Sequence, residues 1–307
     1  MIRIATYLTV YFFGMSCAFS QIKSEEITLQ NKEIQLPGTL TYSQENTPLI
    51  IWVHGSGPVD RNGNQPAQNV NANYIKQFRD AVNKENIAFF SYDKRTASKE
   101  NIAFLKDTKV IDFAKDAQVV IRHFKNKKQF SEIVLLGHSQ GSLVGMLASK
   151  NTDKYISLAG AGETIDNIMV QQISKNNPTL GAAAKQQFDT LRVTGKIEVV
   201  HPFLISVFAK PMQSFWLSWM LLNPLEEIKK LSMPVLIVNG DKDLQVKIEN
   251  AEALHAASLK SELVLIKNMN HVLKDIQKDE DNLSSYYNST FQISKKLIET
   301  IVSFVKK

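Results

Sequence analysis

The sequence predicts an α/β fold: a mostly parallel central sheet with helices on both faces and a helical cap inserted late in the chain. Three observations carry this expectation. Short, continuous apolar runs recur at residues 48–53, 87–92, 133–136, 155–159 and 233–238, and strands buried on both faces of a parallel sheet read in that way. Stretches with helical spacing alternate with those runs, the pattern of strand–helix–strand units. Residues 163–227 then break the rhythm with helical pieces and no convincing buried strand. The length of 307 residues suits one α/β domain or two small ones, and with 44% hydrophobic and 21% charged residues the chain can bury a core.

In chain order, residues 27–29 and 32–42 alternate weakly and are expected to be two antiparallel strands joined near Asn31, with Pro37-Gly38 marking an irregularity. The buried run 48–53 ends in a turn-rich loop from His54 to Gly63. Residues 71–86 have helical spacing in Tyr74, Phe78, Ala81 and Val82. The next run, 87–92, ends in Asp93-Lys94-Arg95, read as a structural charge pairing with Asp60 or Arg61. Residues 110–124 form an amphipathic helix, and Lys125-Asn126-Lys127-Lys128 is its solvated end. Strand 133–136 is followed by helix 142–148, and strand 155–159 leads into the insertion at about 163–227. Its large apolar residues, among them Phe215, Trp216 and Trp219, are expected to pack a cap stripe onto the domain. The rhythm resumes with strand 233–238, helix 248–258, strand 262–266 and one closing helix over 286–305.

The first twenty residues differ in kind. Arg3 carries their only side-chain charge, residues 4–19 are almost wholly apolar or small, and Ala18-Phe19-Ser20 precedes a polar stretch. This is the layout of a secretory signal peptide, with a core too short to be a comfortable membrane span. Residues 21–307 are then the mature domain, expected in a bacterial periplasm or outside the cell, without stable membrane insertion after cleavage. Cys17 is the single cysteine, so the mature chain would hold no disulfide, which suits that compartment. The alternative is a lipid anchor on Cys17, although Gly14-Met15-Ser16 matches the bacterial lipoprotein pattern poorly. The formal charge of +6 is scattered. No aromatic interleaving marks a nucleic-acid surface, no ligand spacing marks a metal, and no glycine-rich phosphate loop marks a nucleotide. No cofactor is therefore expected.

Chemistry is expected where strands end, because open α/β sheets bind ligands beyond the carboxyl ends of their strands. Four groups stand there: the His54-Gly55-Ser56-Gly57 loop, Ser139, Asp243 and His271. Gly137-His138-Ser139-Gln140-Gly141 joins a buried strand to a helix, the context that exposes a serine hydroxyl on a sharp, strained turn. A serine hydroxyl is a weak nucleophile that needs a base, and the base needs an orienting group. His271 is the candidate base. Asp243 is the candidate carboxylate, with Asp241 as rival and more readily read as a turn residue. The backbone N–H groups of Ser56 and Gln140 are candidate donors to an oxyanion. His54 is read as a brace of its loop, His138 as the variable position of the motif, and His123 and His255 as surface groups. His201 is a weaker candidate for lining a pocket.

These residues resemble the α/β-hydrolase superfamily, and most nearly its exported esterase and serine-aminopeptidase-like (acylaminoacyl-peptidase-related) branch. The matching pieces are His54-Gly55-Ser56-Gly57-Pro58 with Asp60-Arg61-Asn62-Gly63, the Ser139 pentapeptide, residues 234–240 with Asp243, and His271. The order Ser139, Asp243, His271 is the one that superfamily uses. The family often carries Asp-x-Arg-Gly after its fourth strand; Thr96 stands here instead of that glycine. The resemblance implies a serine hydrolase that cleaves carboxylic esters through an acyl-enzyme. The alternative is an exopeptidase of the same fold, and a third reading is a binding protein on a hydrolase scaffold. The partner in each catalytic case is a small-molecule ester or a short peptide.

Overall fold

The computed structural model describes residues 21–258 and 260–307; the expected signal peptide and Cys17 lie outside them. One eight-stranded sheet runs through the molecule in the order β1-β2-β4-β3-β5-β6-β7-β8. Strands β1 (Lys23–Asn31) and β2 (Ile34–Tyr42) form an antiparallel hairpin at one edge. Its two-residue turn places Lys32 at φ 55°. Strand β2 runs unbroken through Pro37-Gly38, so no irregularity interrupts the pairing.

The remaining strands are parallel: β3 (Leu49–Val53), β4 (Ala88–Tyr92), β5 (Ile133–His138), β6 (Lys154–Leu158), β7 (Val235–Gly240) and β8 (Ser261–Ile266). Their continuous apolar runs follow from cover on both faces. In β3, Leu49, Ile51 and Val53 belong to one core and Ile50 and Trp52 to the other. Helices α1 (Tyr74–Asn83), α2 (Val110–Lys127) and α3 (Gln140–Ala148) follow β3, β4 and β5. Helix α2 packs in the first core and α1 in the second.

Between β6 and β7 the chain builds five helices: α4 (Ile165–Asn176), α5 (Pro178–Thr194), α6 (Ile205–Phe208), α7 (Lys210–Met220) and α8 (Pro224–Lys229). Helix α7 packs on α2, α4 and α5, and brings Trp216 and Trp219 into the first core. Helix α9 (Ile248–Ala257) precedes β8.

The single helix expected over 286–305 is not what forms. A short helix, α10 (Asp281–Ser285), is separated from α11 (Lys295–Val305) by non-helical chain. Tertiary hydrogen bonds hold that chain open. The buried Lys274 ammonium takes the Asn288 carbonyl, Lys274 and Ile293 bridge as in a strand, and the Ser294 hydroxyl caps α11 by accepting from Leu297. Among the described residues, no helix is long and apolar enough to cross a membrane.

Candidate active site

Ser139 sits between β5 and α3 with φ 56° and ψ −120°, a conformation that costs roughly 1–3 kcal/mol in a non-glycine residue. The surrounding packing enforces it. A Cβ on Gly137 would fall on the Gly141 carbonyl, and a Cβ on Gly141 would fall on the Val53 carbonyl. Strand and helix can meet this closely only where both side chains are missing.

Asp243 and His271 follow β7 and β8. The His271 Nδ1 donates to Asp243 Oδ2 at 2.7 Å, and the other carboxylate oxygen accepts the backbone N–H groups of Gln245 (2.7 Å) and Val246 (2.8 Å). The Asp243 side chain is fully covered and that of His271 is 5% exposed. With its Nδ1 proton held by the carboxylate, the ring keeps Nε2 free to accept one. Asp241, the rival, accepts instead from the Asn268 backbone N–H, a bond that ties the loop after β7 to the loop after β8.

Ser139, His271 and Ser56 wall one cavity of about 350 Å³, together with Tyr74, Gln245 and Tyr286. A second cavity, about 860 Å³, opens beside Ser56 and Gln140 and is mostly apolar, lined by Phe113, Phe215, Trp216 and Trp219. A third, about 190 Å³, also reaches Ser139 and is walled by Glu163, Ile168 and Met169. The three cavities therefore meet around Ser56, Ser139 and Gln140. Trp216 and Trp219 pack as a cap stripe should, stacked on each other at 5.7 Å, and they also form cavity wall.

The loop after β3 is drawn against the serine. A Cβ on Gly55 would lie 3.2 Å from that of Ser139. His54 is buried and its Nε2 donates to the Tyr92 carbonyl, so it braces the loop on β4. Burial pushes its pKa down to about 4.

Three residues gain a place at the site that their sequence context did not advertise. His138 is buried; its Nε2 donates to the His271 carbonyl at 2.8 Å and its Nδ1 accepts from the Tyr74 hydroxyl at 3.4 Å. Gln245 lines two of the cavities and donates its N–H to Asp243. Lys94 is buried at 5% exposure, and its Nζ donates to the Gly55 carbonyl and to Gln140 Oε1, each at 2.7 Å. Of its chain neighbours, Asp93 holds Arg61 through two side-chain bonds, one of the two pairings expected, whereas Arg95 holds Asp116, a partner from α2 that was not. Thr96 needs no glycine, because it is not at positive φ and its hydroxyl donates to the Gly57 carbonyl. His201 caps the turn at 202–204, and His255 is exposed beside Ser261.

An eight-stranded, mostly parallel sheet with a strained serine between strand and helix defines the α/β-hydrolase fold. The BD-FAE family model matches residues 33–258, so the chain belongs to the BD-FAE family. It is 24% identical over 281 residues to esterase EstD of Thermotoga maritima, covering 89% of this chain and 66% of that protein. The chain thus spans just under two thirds of that curated relative. Among solved structures, Est1E of Butyrivibrio proteoclasticus with ferulic acid bound is similar at a TM-score of 0.57 and 18% identity, over 91% of this chain and 96% of that one. The Pyrococcus furiosus esterase Pf2001 is similar at 0.59 and 15% identity, over 93% and 91%.

Proposed function

We propose that this protein is a serine hydrolase that cleaves carboxylic esters of small molecules through an acyl-enzyme on Ser139. The observation that carries the reading is the strained Ser139 in one cavity with a histidine whose Nδ1 is already engaged by a covered carboxylate. In the first step His271 Nε2 takes the Ser139 proton while Oγ adds to the ester carbonyl. The backbone N–H groups of Ser56 and Gln140 hold the oxygen that becomes negative. Collapse of the tetrahedral intermediate breaks the bond to the alcohol, which leaves with the proton from His271. Water, deprotonated by the same nitrogen, then releases the acid and frees Ser139. Asp243 keeps its charge throughout and stabilises the imidazolium.

EstD is an esterase and Est1E holds ferulic acid, and both support ester chemistry here. The aromatic-lined cavity of about 860 Å³ beside Ser56 and Gln140 has room for a bulky apolar acyl group. The exopeptidase alternative needs acidic groups to read a free amino terminus. Of the six acids in the insertion, Asp166, Asp189, Glu198, Glu226 and Glu227 are paired with Arg192, Lys185, Lys196, Lys229 and Lys230, and Glu163 reaches a cavity. That distribution favours esters. Export through residues 1–20 belongs to the same reading and rests on sequence. The test is hydrolysis of p-nitrophenyl acyl esters against aminoacyl p-nitroanilides, with Ser139→Ala as control. Ester turnover lost in the variant supports the proposal; anilide turnover without ester turnover favours the exopeptidase, and neither overturns both.

A further inference from the structure

We propose that Lys94 is a positioning residue of the oxyanion site, one side chain that sets the direction of the Ser56 N–H and ties it to Gln140. The inference rests on the reading of Ser139 as nucleophile. It begins with a covalent fact: the Gly55 carbonyl and the Ser56 N–H belong to the same peptide unit. That unit is planar and trans, so the two groups point in opposite directions. The Lys94 ammonium, 2.7 Å from the carbonyl, therefore holds the Ser56 N–H facing away from itself. The peptide also lies against Ser139, since a Cβ on Gly55 would stand a tight 3.2 Å from the serine Cβ. A hydrogen bond to the carbonyl of an amide polarises it and strengthens its N–H as donor.

The second contact extends the same control to the other chain segment. Gln140 carries the second donor on its backbone at the first turn of α3, and its side-chain Oε1 accepts from the same Lys94 Nζ at 2.7 Å. Two donors, one on the loop after β3 and one in the first turn of α3, are thus registered through a single nitrogen. Among the described residues, no carboxylate forms an ion pair with Lys94. The nearby Asp116 is engaged by Arg95, and the remaining face of the ammonium lies 4.4 Å from the Phe113 ring centroid. Burying an unpaired ammonium is costly, and burial pushes its pKa down to about 7. A fold would gain more from an apolar side chain there; a perturbed cation beside a candidate site is what electrostatic positioning calls for.

The test compares wild type, Lys94→Met and Lys94→Gln in steady-state hydrolysis of a p-nitrophenyl ester, with melting curves to establish folding. Removing a whole oxyanion donor costs about 10²- to 10³-fold in kcat. Loss of direction and polarisation in Lys94→Met should cost about 10- to 100-fold in kcat, with KM within about twofold. Affinity for a boronic acid that forms a tetrahedral adduct should fall in parallel with kcat, which a purely structural lysine would not produce. Lys94→Gln keeps a donor without charge and covers the case in which Lys94→Met does not fold; about tenfold loss in kcat is expected. Wild-type kcat in either folded variant, with an active wild type, would overturn the Lys94 assignment alone. A wild type whose ester turnover is absent or independent of Ser139 would overturn the nucleophile reading and this inference with it.

Discussion

The Nε2 of His138 donates to the backbone carbonyl of His271 at 2.8 Å, so the residue just before the candidate nucleophile holds the main chain of the candidate base. Burial pushes the His138 pKa down to about 3, with His271 itself opposing a second charge. His138 is therefore a neutral donor at working pH. His138→Phe fills the space and leaves the carbonyl without its partner, at a cost of about 1–3 kcal/mol for a buried group. A drop of that size in unfolding free energy is expected, with kcat falling about tenfold as His271 loosens. Denaturant melts and ester kinetics on the same preparation check it; unchanged values in both would remove His138 from the account.

Stability should fall on the acid side of pH 6.5. His54 and His138 have folded-state pKa values of about 4 and about 3, both below the ordinary 6.5, with burial as the main cause. The unfolded chain takes up these protons first, so stability is full above pH 6.5 and is lost as pH falls toward those values. Each proton contributes about 1.4 kcal/mol per pH unit where only the unfolded state binds it. The two together give about 3 kcal/mol per pH unit near pH 5. Urea midpoints from pH 7 to pH 4.5 measure the slope, and His138→Phe should remove about half of it.

Asp243 and Asp241 stand two residues apart and should behave differently. Asp243→Asn deprives the His271 Nδ1–H of its carboxylate and should lower kcat about 10³- to 10⁴-fold with little change in KM. Asp241→Asn weakens one bond between the loops after β7 and β8, to the Asn268 N–H, with stability lower by about 1 kcal/mol and kcat near wild type. Kinetics of both variants on one ester decide between the two carboxylates. Equal losses would contradict the geometry.

Trp219 should matter to acyl preference. It lies 7% exposed, stacked on Trp216, in the wall of the large apolar cavity. Trp219→Ala should reduce kcat/KM for an aromatic acyl ester about tenfold while an acetyl ester changes little, since only the larger acyl group reaches the aromatic wall. A uniform loss on both esters would assign Trp219 to cap packing alone.

Much of the fold was legible because its strands are covered on both faces, which turns each into an unbroken apolar run such as 49–53 or 235–238. The candidate site was legible where chemistry coincides with strand ends. What escaped depends on contacts between distant segments. Residues 286–294 have helical spacing, yet Lys274, buried from another loop, takes the Asn288 carbonyl and pulls the chain out of helix. Lys94 reads as part of a structural charge pairing with Asp60 or Arg61, and only the loop after β3 and the first turn of α3, closing over it, turn its ammonium to Gly55 and Gln140 instead. His138 occupies a motif position that tolerates any residue, and only the packing of Tyr74 and the His271 carbonyl gives it a place.

The central claim is that Ser139 is an activated nucleophile, and the most direct measurement is intact-protein and peptide mass spectrometry after treatment with a fluorophosphonate. The expected result is one adduct, carried by the peptide that contains Ser139, absent from Ser139→Ala and formed far more slowly in Asp243→Asn. A folded wild type that takes no adduct, or one labelled equally in Ser139→Ala, would contradict the account.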